Sequence, residues 1–123
     1  MIVFFIIFLV KKSILGDKKG FVYLIGDSNN DGVFKIGVTR GTIENRMKKL
    51  QTGNPGLIHL FAYHESRHPF FIEKRLHILL GQYRENNEWF RLPLDIQINF
   101  NKICDEQEIV AESIKNNPFV NLK

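Results

Sequence analysis

The sequence predicts an α+β domain, a small three-stranded antiparallel sheet flanked by helices. Two patterns and one bound carry that prediction. Apolar residues alternate over Phe21 to Gly26 and Val33 to Val38, as in strands, and recur at helical spacing over residues 43–50 and 72–83. A chain of 123 residues is the size of one domain with short extensions rather than of a two-domain enzyme. The domain is expected over residues 21–93, after an apolar, then basic extension (1–20) and before a helical one (94–123).

The two alternating runs flank Asp27 to Gly32 (DSNNDG) and read as a β-hairpin, with Asp31-Gly32 expected in the turn because these residues tolerate positive φ. Successive side chains point to opposite faces. Val22, Leu24, Phe34, Ile36 and Val38 therefore share the core face, and Tyr23, Lys35 and Gly37 share the other. Pairing through that turn puts Tyr23 nearly opposite Lys35. Thr42 is the expected N-cap of a first helix, with Ile43, Met47 and Leu50 as its buried stripe and Gly53 as its stop; Arg46 and Lys49 lie off the stripe. After the turn GNPG (53–56), Leu57 to His64 supplies the third strand. A second helix is expected from Pro69 to about Arg84, with Ile72, Leu76, Leu79, Leu80 and Tyr83 on one side. Asn86, Asn87 and Glu88 break it, and Trp89-Phe90 returns to the core. Beyond Pro93, Ile96, Phe100, Ile103, Val110 and Ile114 are spaced for one or two further helices, although Asp95 to Phe100 also alternates as a strand would.

Composition excludes several classes. At 44% hydrophobic and 24% charged, with eleven Phe and four Pro, the chain can fill a core and is neither disordered nor collagen-like. The lone Cys104 forms no internal disulfide and removes the paired-cysteine zinc motifs, so a reducing, intracellular setting is expected. The net charge of +4 is uneven: residues 1–56 hold nine Lys and Arg against four Asp and Glu, and residues 57–123 hold eight against nine. A polyanion is a plausible partner for the basic first half. Met1 to Val10 is wholly apolar, yet it is far shorter than the ~20 residues of a spanning helix. It also lacks the basic start and small-residue cleavage site of a secretory signal. A membrane partner is therefore not expected, and the segment should pack against the domain if ordered.

Two short patterns invite metal or acid–base readings. His64 to His68 (HESRH) matches the H-E-x-x-H string of zinc proteases, but that string needs a helix. Here it follows a strand, Pro69 restrains His68, and Arg67 stands where such helices bury an apolar residue. Glu73 and His77 lie four apart on the second helix and share a face. They read as a surface pair or a partly buried, hydrogen-bonded histidine rather than as a site.

A wider constellation is more specific. Tyr23 and Lys35 lie on the hairpin, Arg46 on the first helix, and Glu88 just before Trp89. This order resembles the GIY-YIG nuclease superfamily, with Phe21-Val22-Tyr23 and Lys35-Ile36-Gly37 standing for its two tripeptides. The strings VYLI, FKIGVTR, RMKKLQTGNP, EKRLH and NEWF, over about Phe21 to Pro93, resemble more narrowly its phage T-five Orf172 DNA-binding domain branch, akin to the meiotically up-regulated gene 113 group. There are two departures. Lys35 replaces the second tyrosine, a substitution familiar in this branch, and Leu50 stands where several of these nucleases carry a histidine.

The resemblance implies a GIY-YIG-like fold and a metal-dependent DNA endonuclease. In it Tyr23 is the general base for a water, Lys35 adds positive charge beside it, Arg46 clamps phosphate oxygens, and Glu88 holds a single Mg²⁺ or Mn²⁺. His59 or His77 could assist proton transfer. Arg40, Lys48 and Lys49 are the expected contacts to the DNA backbone. No small-molecule cofactor is implied. The alternative is a DNA-binding module of the same fold without turnover, which the missing histidine favours.

Overall fold

The computed structural model describes residues 18–117. The apolar run Met1 to Val10 and its expected packing lie outside the described residues. Among the described residues five strands and four helices follow in order: β1 (Gly20–Asp27), β2 (Asn30–Thr39), α1 (Ile43–Gln51), β3 (Ile58–Ser66), α2 (Pro69–Leu79), a 3₁₀ turn (Gly81–Tyr83), β4 (Arg84–Asn86), β5 (Trp89–Arg91), α3 (Leu94–Ile98) and α4 (Phe100–Asn116). The strands form one antiparallel sheet ordered β3-β1-β2-β5-β4.

The fold is α+β, but the expected three-stranded sheet is wrong: five strands form it. The two added strands lie on either side of the stretch read as a helix break, β4 taking in the expected helix end at Arg84 and β5 the expected return to the core at Trp89-Phe90. Each has three residues, too few to show a period of two, and they meet at a turn where Asn87 takes φ 51°, a conformation asparagine tolerates. The second helix ends at Leu79 rather than near Arg84, because the chain tightens into the 3₁₀ turn and then extends into β4. Past Pro93 the helical spacing wins over the alternation, giving α3 and α4.

The hairpin register also differs from expectation. Asp27 pairs with Asn30, so Ser28 and Asn29 form the turn. Asp31 and Gly32 fall inside β2, where the register shifts and Gly32 takes φ 78°. That irregularity moves the pairing by two residues: Tyr23 faces Gly37, and Lys35 faces Ile25. The assignment of faces is unaffected, since a shift of two preserves it.

Both faces of the sheet are covered. On one, Val22, Leu24, Phe34 and Ile36 pack with Ile72 and Leu76 of α2, Phe90 of β5, and Phe100 and Cys104 of α4. Burial pushes the Cys104 thiol up to about 12, with Asp105 and Glu108 adding to the shift, so it stays a protonated packing residue. On the other face Tyr23, Ile25 and Ile58 meet Ile43, Met47 and Leu50, the expected stripe of α1, together with Trp89. Thr42 caps α1 as expected, its hydroxyl accepting from Asn45 N at 3.1 Å. No helix among the described residues is long and apolar enough to cross a membrane.

Candidate active site

Tyr23 sits in mid-β1 opposite Gly37, and its ring crosses that glycine. A Cβ at position 37 would overlap the phenol oxygen and ring carbons, which is why the strand carries glycine there. The apolar stripe holds α1 over the same face, and the off-stripe Arg46 reaches the phenol: its Nε donates to Tyr23 Oη at 3.1 Å. Tyr23 is fully buried and Arg46 is partly exposed. One edge of the guanidinium is thus used on the phenol, which leaves its Nη groups for another acceptor.

Lys35 lies diagonally from Tyr23 on the same face. Its Nζ meets Glu88 Oε2 at 2.6 Å and lies 5.8 Å from the Trp89 ring centre. The lysine side chain is only 14% exposed against 41% for the glutamate, so the pair neutralises an ammonium largely withdrawn from water.

Along β2, β5 reaches only Val33–Lys35, so from Ile36 onward this edge of β2 has no strand partner among the described residues. Two groups take over there. Ile36 N donates to Glu88 O at 3.0 Å, and His77 Nε2 donates to Ile36 O at 2.9 Å. The His77 ring also meets Phe90 edge-on at 5.0 Å. One turn earlier on α2, Glu73 is half-buried. Burial raises its carboxyl above the ordinary range; His77 pulls it down, the Glu88 carboxylate pushes it up, and Lys74 and Lys35 pull weakly down. Glu73 therefore belongs to the electrostatic neighbourhood of Lys35 and Glu88.

The structure thus joins Tyr23 to Arg46 and Lys35 to Glu88. It also brings Glu73 and His77 to the second pair, two residues read from the sequence as a surface pair or a partly buried, hydrogen-bonded histidine, and His77 is the latter. Their signal was present in EKRLH, a string that contains both. His77 is the histidine near this cluster; the His59 ring instead lies over Gly26, near the end of the hairpin. Of the expected DNA contacts, Arg40 is exposed between β2 and α1, with its guanidinium 4.8 Å from the Phe70 ring centre, and Lys48 and Lys49 are exposed in the last turn of α1. Leu50 is partly buried and packs in the apolar stripe. The HESRH string is not helical: His64 lies in β3 and His68 just precedes α2.

This small α+β domain gathers a buried tyrosine, two cations and two carboxylates around its central hairpin, and the family its sequence matches is one of nuclease-like or DNA-binding modules. The chain belongs to the T5orf172 domain family, the phage T5 Orf172 DNA-binding domains, whose model matches residues 20–109. That membership points to DNA as the partner. No curated protein and no solved structure matches the chain.

Proposed function

We propose that the protein is a metal-dependent DNA endonuclease that hydrolyses phosphodiester bonds at a GIY-YIG-type site. The observation that carries this reading is the Arg46 Nε to Tyr23 Oη hydrogen bond, which supports a phosphate-binding cation set on the phenol. In this reading Arg46 keeps Nε on Tyr23 and turns its Nη groups to two non-bridging phosphate oxygens, the bidentate geometry guanidinium favours. Tyr23 accepts the proton of the attacking water, and Lys35 adds positive charge beside it. Arg40, Lys48 and Lys49 hold the neighbouring backbone phosphates.

The acidic residues fit a hard divalent cation. Glu88 is already paired with Lys35, while Glu73 is half-buried and pushed further up by Glu88. A carboxyl whose charge is disfavoured by burial and by the Glu88 carboxylate gains from one Mg²⁺ or Mn²⁺, which Glu88 would hold with Glu73 beside it. When bound, such a cation supplies Lewis acidity toward a phosphate oxygen.

Purified protein with Mg²⁺ is expected to nick supercoiled plasmid. Arg46→Ala, Glu73→Gln and Glu88→Gln should each lower the rate at least about 100-fold, the scale of losing one transition-state contact, while DNA binding survives. Absence of metal-dependent cleavage on duplex, branched and single-stranded DNA alike would leave the second reading, a DNA-binding module without turnover. The complete burial of Tyr23 is the observation that favours that alternative, because a general base must reach water.

A further inference from the structure

We propose that His68, Glu108 and Glu112 bind one divalent transition-metal ion, zinc by the chemistry of the donors, and so fasten α4 to the end of β3. The site shares no residue with the candidate active site and does not depend on the nuclease reading.

The geometry comes from three elements. α4 buries Phe100, Cys104, Gln107 and Ala111 against the body of the domain. Beside that stripe Glu108 and Glu112 stand one helical turn apart, facing the segment that links β3 to α2. There the His68 side chain is 3% exposed, and its Nε2 lies 2.6 Å from Glu112 Oε1. One donor atom from each of His68, Glu108 and Glu112 falls within 4.8 Å of the others. Donors on a tetrahedral zinc ion stand about 3.4 Å apart at metal–ligand distances of ~2.1 Å, so a shift of at most about 1.4 Å closes the site.

Two observations favour a cation over hydrogen bonds alone. Glu108 and Glu112 are like charges at i and i+4, a spacing that destabilises a helix unless something positive lies between them. Glu108 is also pre-oriented: its Oε1 meets His64 Nε2 at 2.9 Å, as outer partners commonly orient a ligating carboxylate. The nearby Lys19 ammonium is engaged with Glu65 at 3.0 Å. An imidazole with two carboxylates selects zinc or a similar borderline ion over Mg²⁺ or Ca²⁺, which prefer all-oxygen shells.

The test uses the full chain, stripped with a chelator and titrated with ZnCl₂ by calorimetry, with metal content measured after desalting. One zinc per chain is expected, and Co²⁺ in its place should give visible d–d absorption. Glu108→Gln and Glu112→Gln, both partly exposed and so expected to fold, should each weaken zinc at least about 10-fold. Glu73→Gln should leave one zinc per chain. The proposal is overturned if the wild-type protein takes up no stoichiometric zinc. It is equally overturned if Glu108→Gln and Glu112→Gln bind as the wild type does, or if Glu73→Gln removes the ion.

Discussion

At Glu73 ionisation opposes folding. Burial raises its carboxyl above the ordinary 4.5, and Glu88 adds to the shift against the pull of His77. Because the folded value exceeds the unfolded one, the protonated acid favours the folded state. The stability this brings is complete below about pH 4.5 and is lost as pH rises through the raised value. Glu73→Gln is neutral throughout. It should therefore melt on the order of a few degrees above the parent at neutral pH, with the gap closing in acid. Melting curves across that range decide it; a gap that is absent at neutral pH or widens in acid would contradict the assigned cause. If the same variant also loses nicking, Glu73 is a residue kept for activity at the expense of stability.

Between the strands of the hairpin, the Tyr23 ring and Gly37 form a single packing unit. Gly37→Ala places a methyl group where the ring lies, and the ring is fully buried. Overpacking of this kind costs roughly 1–3 kcal/mol, so a lower melting temperature is expected, together with displacement of the phenol from Arg46. Loss of stability without any change in the tyrosine's ultraviolet absorption would mean that the ring had not moved. At this scale the sequence was readable wherever an element was long. β1, β2 and β3 showed their alternation, and α1 its cap and stripe, because each spans several periods. β4 and β5 were hidden because three residues hold little more than one period, and the sheet was undercounted as a result. The register was misread at Asp31-Gly32 because a glycine that permits positive φ marks an irregular strand as readily as a turn. Tyr23, Lys35, Arg46 and Glu88 were singled out through the order of several strings. Glu73 and His77 were passed over because a helix face alone does not reveal the open strand edge it will meet.

Over the whole molecule, the question is whether the basic first half forms a surface for a phosphate backbone. Net charge decides little in a chain of +4, so the argument rests on placement. Arg46 and Lys49 lie three apart on α1 and share a face; Lys48 and Lys49 are exposed in its last turn, and Arg40 is exposed just before it. If these four each neutralise one phosphate, the logarithm of the DNA association constant should fall against the logarithm of salt with a slope of about −3.6. Affinity then drops roughly 150-fold between 50 and 200 mM salt, where a contact set of uncharged hydrogen bonds would change little. Lys48→Ala and Lys49→Ala should each flatten the slope by about 0.9 and weaken binding alike on unrelated duplexes, because phosphate contacts carry no sequence information. Fluorescence anisotropy on two unrelated duplexes across that salt range measures both quantities. A flat salt response in the wild-type protein would place DNA, if it binds at all, on a different surface from α1 and the loop before it.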